Sequence, residues 1–232
     1  MRKVFVFGID GAMPEKIFDE WLDELPNIKR LMRQGCYAKL NSTIPPLSIV
    51  AWTSIVTGKS PIDHGIFECL TRKKGTYKFS ELVSSKDVKD KTIWEIASNQ
   101  GKKCISCFVP ITWPVKPYEG LLLSGFMTPL NPTVEFAYPP TLKKEINTML
   151  GKPLLIDIPN FREFSEESLL EQVYNMTKMH LDSMEYLVKN KEWDFFMGII
   201  NGSDRVNHIF WKYCDVLHKK YKPNSKFKDS LK

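Results

Sequence analysis

The sequence predicts an α/β fold with a mainly parallel sheet and helices on both faces. Three observations support this prediction: an apolar, β-branched strand begins the chain, strand and helix patterns then alternate, and a similar apolar strand lies near the other end. Strands that alternate with helices are typical of βαβ units, whose strands run parallel. A length of 232 residues fits a single domain.

The elements of the first half follow from apolar periodicity and from the residues that begin and end helices. The apolar run at 3–9 predicts a strand. Proline at the first helical position and glycine past the last one indicate helices at 15–25 and 26–34. Apolar and polar residues alternate over 37–43, which predicts a strand. A helix follows at 49–57.

The second half continues the alternation but contains one irregular stretch. The expected elements are a helix at 91–99, strands at 103–109 and 121–126, a long helix at 165–190 and a strand at 194–200. Most of the chain's 15 prolines lie between 110 and 164. A long irregular connection within a compact domain is usually a binding loop or lid. We therefore expect residues 110–164 to form a loop-rich insertion near the site.

The charge of the chain is concentrated at one end. The net charge is +6, but residues 219–232 hold six lysines and one aspartate, so the remainder is near neutral. We interpret 219–232 as a solvated basic tail and expect no nucleic-acid partner. A nucleic-acid-binding module is the alternative, and it predicts strongly salt-dependent binding.

Localisation and redox state follow from simple patterns. No run approaches the roughly 18 apolar residues of a membrane helix, and the N-terminus leads into a strand with no signal-peptide pattern. The expectation is a cytoplasmic protein with no membrane contact. Cys104 and Cys107 lie in the predicted strand 103–109 and are expected to be buried, reduced thiols on one face.

Four residues lie where predicted strands end or helices begin: Asp10, Ser48, Asp204 and His208. Ligands bind at the carboxyl ends of strands in α/β sheets, and a spacing of four places Asp204 and His208 on one helix face. Each residue alone also has a structural interpretation, such as a helix N-cap for Ser48. Together they indicate a metal-assisted phosphoryl or sulfuryl transfer site.

The sequence around Ser48 carries a family resemblance. Residues 42–58, STIPPLSIVAWTSIVTG, followed by SPIDHGI at 60–66, resemble the nucleophile region of the alkaline phosphatase superfamily. The resemblance is strongest to its type I phosphodiesterase / nucleotide pyrophosphatase branch, within it to microbial phosphohydrolases or phosphomutases. The strings SGFMTP at 124–129 and SDRVNHIFW at 203–211 are similar to that branch too. The resemblance implies an alkaline-phosphatase-like core.

The resemblance also implies an activity and roles. The expected protein is a metal-dependent phosphohydrolase, of phosphodiesterase, phosphatase or phosphomutase type, acting on a small phosphorylated substrate. Ser48 would be the nucleophile, forming a phospho-serine intermediate, and Asp10 with Ser48 would bind one divalent ion. Asp204 and His208 would bind a second divalent ion. Both ions would be zinc or manganese. His64, in Asp-His-Gly, matches a structural element of the family, and Arg205 fits either a phosphate contact or an ion pair.

The sequence departs from the family in one respect. The superfamily completes its metal set with a later Ser-Asp-His-Gly strand and a further histidine, which do not occur here. We therefore expect a C-terminally incomplete core, an exposed sheet edge and a site completed by a partner chain or a missing segment. The alternative is a truncated or degenerate, non-catalytic member that binds a ligand or partner.

Overall fold

One five-stranded sheet forms the centre of the protein. The computed structural model describes residues 2–73, 75–159 and 163–231. The strands of this sheet are β1 (Val4–Ile9), β4 (Cys104–Val109), β5 (Gly120–Ser124), β6 (Ala137–Tyr138) and β7 (Phe195–Ile200). The strand order is β1-β7-β4-β5-β6. All neighbours run parallel except β6, which is antiparallel to β5. A separate antiparallel hairpin joins β2 (Leu70–Arg72) to β3 (Phe79–Leu82).

Helices cover both faces of the sheet, which confirms the predicted fold class. Their bounds are α1 (Pro26–Gln34), α2 (Ser48–Thr57), α3 (Pro61–His64), α4 (Ile93–Ser98), α5 (Pro140–Leu150), α6 (Glu166–Asn190) and α7 (Gly202–Cys214). On one face, α5 and α6 pack against β4 and β7 through residues such as Ile146, Leu187 and Phe196. On the other face, Val56 of α2 and Trp94 of α4 pack against the same strands.

The central strands are the most buried, as their continuous apolar sequences predict. Every residue of β4 is buried, and so are the first five of β7. A strand enclosed on both faces needs apolar side chains on both. The edge strand β1 differs: it pairs with β7 alone among the described residues, and Val4, Phe5 and Phe7 are exposed. The open edge expected from the sequence is therefore present in the part of the chain that the structure describes.

Two predicted elements near the N-terminus take other forms. Residues 15–25 form a π-helical turn at Lys16–Glu20 and a 3₁₀ turn at Leu22–Glu24 instead of one α-helix, and neither buries a side chain. Residues 37–43 form no strand. Tyr37 and Leu40 are exposed there, and alternation alone cannot form a strand without a neighbouring one to pair with.

The proline-rich stretch contains more regular structure than its composition indicates. Residues 110–164 include β5, β6 and the 11-residue helix α5. Helix α5 begins at Pro140, where proline is tolerated because the first N–H groups of a helix lack intrahelical partners. The division of the chain into a core, an insertion and a tail stays a prediction.

The basic tail does not match the expected solvated segment. Phe227 is buried and packs edge-on against Phe210, at 5.2 Å between ring centroids, and against Tyr213. Lys226 forms an ion pair with Glu167 on α6. The segment returns to α7 because burying one aromatic ring outweighs the solvation preference of lysines, whose charged ends remain in water.

The cysteines are unpaired, as expected, but the prediction of a shared face was wrong. Cys104 belongs to the cluster under α2 and α4, whereas Cys107 belongs to the cluster under α5 and α6. Residues three apart in a strand point to opposite faces. Burial raises the pKa of the Cys104 thiol to about 11 and raises that of Cys107 further. Both therefore stay protonated at neutral pH.

Helix α6 follows the predicted apolar stripe, and His180 lies on that stripe. The ring is 1% exposed and stacks on Phe108, with 3.8 Å between ring centroids. Its Nε2 lies 2.9 Å from the carbonyl oxygen of Leu155, so this nitrogen carries the proton and donates it.

Within the described ranges, no helix combines the length and apolar character needed to cross a bilayer.

The burial of His180 predicts how acid affects stability. Burial lowers the pKa of His180 from 6.5 to about 4, so the unfolded chain takes up this proton first as the pH falls. The free energy of unfolding should be unaffected by this group above pH 6.5, then fall by about 1.4 kcal/mol per pH unit down to about pH 4.

Urea unfolding at several pH values measures this dependence. His180→Gln should flatten the slope between pH 6.5 and pH 4, whereas His218→Gln, at a less buried site, should retain it. Equal slopes in the parent and in His180→Gln would contradict the assignment.

Candidate active site

The sheet topology places the end of β1 beside the start of α7. Ile9 pairs with Ile200 in the parallel ladder, and the Asp10 N–H donates to the Ile200 carbonyl at 2.9 Å. Both chains therefore leave the sheet at its carboxyl edge, where α/β proteins bind ligands. Asp10 follows β1 directly, and α7 begins two residues after β7, so Asp10 and Asp204 lie at the same edge.

The Ser48 side chain faces Asp10. Its hydroxyl donates to Asp10 Oδ1 at 3.0 Å. Ser48 is the first residue of α2, and the N-cap position belongs to Leu47, with no side-chain cap. The structural alternative from the sequence, a capping serine, does not occur. The hydroxyl is instead held between a carboxylate and the N-terminus of a helix, whose free N–H groups favour anions.

Trp52, which was not among the residues predicted from the sequence, is a second donor to the same carboxylate oxygen. Its indole N–H donates to Asp10 Oδ1 at 3.1 Å. Trp52 lies one turn after Ser48 on α2, and residues four apart share a helix face. This spacing was the signal in the sequence that could have identified it. Asp10 is 8% exposed, so its carboxylate is buried yet hydrogen-bonded.

Two side chains of α7 hold the backbone of the Asp10–Gly11 turn. Ser203 donates its hydroxyl proton to the Asp10 carbonyl at 2.6 Å, and Asn207 donates to the Gly11 carbonyl at 2.6 Å. Gly11 has a φ of +71°, and a Cβ there would lie 2.8 Å from the Cα of Asp204. The turn and α7 are therefore in direct backbone contact.

Asp204 and His208 lie one turn apart, as predicted. His208 Nε2 is 3.5 Å from Asp204 Oδ1, and the imidazole is largely exposed. Burial raises the pKa of Asp204, and the nearby charge of Asp10 raises it further. The structure thus brings all four predicted residues to one edge of the sheet, in two contacting pairs.

Arg205 is engaged in an ion pair. Its Nε donates to Asp157 Oδ1 at 3.0 Å, and a second N–H donates to Asp157 Oδ2. Its guanidinium also lies 4.6 Å from the centre of the Phe126 ring. Asp157 was missed, because the path of the loop that carries it leaves no periodic signal in the sequence. The ion pair is one of the two alternatives expected for Arg205.

The contacts of His64 are those of a structural residue, because its ring is hydrogen-bonded within the protein. The ring is fully buried, and Nδ1 accepts a hydrogen bond from the Ile66 N–H at 3.1 Å. Nε2 therefore carries the proton and lies 2.9 Å from Ser54 Oγ. Burial lowers the pKa of His64, and both ring nitrogens are occupied. The hydrogen bond between His64 and Ser54 therefore joins α3 to α2.

The donor types at the edge suit divalent ions, although their number is small. Two carboxylates, a hydroxyl and an imidazole are ligands that zinc and manganese accept. A cation between Asp10 and Asp204 would relieve the repulsion that raises the pKa of Asp204. Among the described residues, no group of three or more His, Cys, Asp or Glu side chains is placed to hold an ion.

A comparison with protein families identifies the relationship. The family model for type I phosphodiesterase / nucleotide pyrophosphatase matches residues 4–223. The chain belongs to this family. The match confirms the resemblance found around Ser48 and places the chain in the alkaline phosphatase superfamily. Members of the family generally depend on divalent metal ions. No curated protein matched the sequence.

Solved structures of another enzyme share the fold of this family member. The chain is similar to phosphonoacetate hydrolase from Sinorhizobium meliloti 1021 in complex with phosphonoacetate, at 17% identity and a TM-score of 0.65. That match covers 99% of this chain and 50% of the other. The phosphonoformate complex matches at 15% identity and a TM-score of 0.60, over 88% and 47%. The chain thus spans about half the length of these structures, and the likeness shows the fold.

The contact between Gly11 and α7 predicts the effect of adding one methyl group. Gly11→Ala and Gly151→Ala both place alanine at a positive φ, +71° and +68°, but space around Gly151 is open. Gly11→Ala should therefore lower the free energy of unfolding by at least about 1 kcal/mol more than Gly151→Ala, because the methyl group meets the Asp204 backbone. Urea unfolding of both variants measures this. Equal losses would show that the close approach carries no constraint.

Proposed function

We propose that the protein is a metal-dependent phosphoric ester hydrolase that acts through Ser48 on a small phosphorylated substrate. The observation that carries this proposal is the 3.0 Å contact between Ser48 Oγ and Asp10 Oδ1 at the carboxyl edge of the sheet. The family, named for phosphodiesterase and pyrophosphatase activity, supports the reaction class. The similar phosphonoacetate hydrolase structures, bound to phosphonoacetate and phosphonoformate, support a small phosphorus-containing substrate.

Asp10 and the start of α2 would prepare Ser48 for attack. The hydrogen bond to Asp10 Oδ1 orients the hydroxyl, and Trp52 fixes that carboxylate from the next turn. A serine hydroxyl is a weak nucleophile unless a base or a metal activates it. The N-terminus of α2 adds free N–H groups at the point where phosphoryl oxygens would lie.

The reaction would proceed in two displacements at phosphorus. Ser48 Oγ forms a bond to phosphorus as the ester P–O bond breaks, and the proton from the hydroxyl leaves with the departing oxygen as the alcohol, so that phospho-serine remains. Water then attacks phosphorus and breaks the Oγ–P bond, which returns the serine hydroxyl and releases phosphate or a monoester. If a second hydroxyl of the substrate replaces water, the same residues perform a phosphomutase reaction.

The ions would be held by the two contacting pairs. Asp10 with Ser48 would hold one, and Asp204 with His208 the other, with zinc or manganese as the metal. Bound there, they would supply Lewis-acid chemistry, lowering the pKa of the hydroxyl and offsetting negative charge on phosphoryl oxygens.

A second candidate function is ligand binding without turnover. One observation favours it. Within the described ranges, each of the two proposed ion sites has only two protein ligands, whereas a catalytic zinc ion usually has three. The two candidates differ in whether substrate turnover depends on Ser48.

Substitution of Ser48 tests the nucleophile. Ser48→Ala should lower kcat by about 10³-fold or more on bis-p-nitrophenyl phosphate or p-nitrophenyl phosphate with manganese or zinc, because the group that attacks phosphorus is lost. Ser48→Thr keeps a hydroxyl and should keep measurable activity. Release of p-nitrophenol measures both. Equal rates for Ser48→Ala and the parent would remove Ser48 from the mechanism.

Metal titration tests the two pairs. Calorimetry on the metal-free protein should give about two equivalents of manganese or zinc bound, as a two-ion site requires. His208→Ala should reduce this to about one equivalent, because it removes one ligand of a pair that has only two. His218→Ala is the control and should leave the stoichiometry unchanged. A stoichiometry of zero in the parent would contradict the metal assignment.

A further inference from the structure

A large cavity lies next to the candidate active site. It has a volume of about 830 Å³, and His208 and Trp211 form part of its wall. The same two residues line a smaller cavity of about 320 Å³ that also contains Gly11 and Asp204. The two cavities therefore share a wall at the predicted metal ligand. The larger one falls in the size range of pockets for small ligands.

The polar lining of the large cavity is mainly cationic. Arg205, Lys212 and Lys220 line it, together with His218, and Asp157 is the single carboxylate among the lining residues. Arg205 is already paired with Asp157. Lys212 is paired with Glu166 at 2.6 Å. Lys220 has no ion pair within the part of the chain that the structure describes. An unpaired cation is therefore present in the wall of a cavity beside the reaction site.

The chain after α7 is held in place at this cavity. The Lys220 N–H donates to His218 Nδ1 at 3.0 Å, and the Lys222 N–H donates to the Lys212 carbonyl at 3.2 Å. Phe227, buried against Phe210, fixes the segment further along. The basic segment that was expected to be a solvated tail thus holds the backbone of Lys220 at the cavity, and the exposed Lys220 side chain forms part of the cavity lining.

We propose that this cavity binds a second anionic group of the substrate, and that Lys220 determines this specificity. The proposal rests on the proposed function: the reacting phosphoryl group would lie at Ser48, and a carboxylate or second phosphate of the same molecule would lie beyond His208. Phe126, Ile209 and Trp211 give the cavity apolar walls, which suit the carbon skeleton between two charged ends. A charge-assisted hydrogen bond to lysine is stronger than a neutral one.

A pair of esters that differ in one charge tests the proposal. The esters are 4-carboxyphenyl phosphate and 4-carbamoylphenyl phosphate, nearly equal in shape, and 1,4-phenylene bisphosphate adds a second phosphate. In the parent, KM for the carboxylate ester should be about tenfold lower than for the carboxamide ester, as expected for one hydrogen bond to a charged group. The bisphosphate arm shows whether a phosphate is accepted in place of the carboxylate.

Variants of Lys220 link this preference to one residue. Lys220→Met should raise KM for the carboxylate ester by about tenfold, leaving kcat and the carboxamide KM unchanged. Lys220→Arg should retain the preference. Lys219→Met, at the adjacent position outside the cavity, is the matched control and should behave as the parent.

Binding without turnover provides an independent measurement. Calorimetry with Ser48→Ala protein should show that the carboxylate ester binds about tenfold more tightly than the carboxamide ester, and that Lys220→Met removes the difference. Ser48-dependent turnover with equal KM values for the two esters would overturn the proposal and leave the proposed function intact. Absence of Ser48-dependent turnover would overturn the proposed function, and equal calorimetric affinities would then overturn the cavity assignment as well.

Discussion

The parallel ladder between β1 and β7 joins the first and last strands of the sheet over six residue pairs, from Val4–Phe195 to Ile9–Ile200. The two strands are separated by most of the chain, yet they end together. Because they run parallel, the residues that follow them leave at one edge. The contact of the Asp10 turn with α7 depends on this pairing, and that contact brings the two pairs of predicted ligands to one place.

The turn after β1 is fixed from two sides. From α2, Ser48 and Trp52 both donate to one oxygen of the Asp10 carboxylate. From α7, Ser203 and Asn207 donate to backbone carbonyls of the same turn. The carboxylate and the backbone that carries it are thus held by separate elements. Such support from outside the reacting groups is what keeps a site in a working geometry before a ligand arrives.

Secondary-structure elements that depend on neighbouring residues in the sequence were predicted correctly, whereas elements that depend on distant residues were not. Strand β7 and helix α6 were predicted within about two residues because each carries a long, consistent apolar pattern. The strand expected at 37–43 failed because pairing requires a partner that no local pattern reveals. Helix α5 was missed because the prolines around it were interpreted as irregular chain, although one of them begins the helix.

The same distinction applies to the candidate site. The meeting of Asp10 with α7 followed from parallel topology. The meeting of Asp10 with Ser48 followed from the family resemblance, because the strand expected before Ser48 does not form. Trp52 was accessible from its spacing on α2. The ion-pair partner of Arg205 could not be identified from the sequence, because Asp157 lies on a loop with no periodic pattern. In the sequence Lys220 was only one of many lysines, and no local pattern indicated that it lines the same cavity as His208. The catalytic and metal-binding roles of these residues stay predictions.

The position of β1 at the margin of the sheet has a thermodynamic consequence. Asp10 extends a strand supported by one neighbour in the described chain, with exposed aromatic rings at Phe5 and Phe7. Local opening of that margin would carry the carboxylate away from its partners, at a lower free energy than global unfolding. Binding of a cation by Asp10, as proposed above, would therefore oppose this opening and stabilise the edge strand.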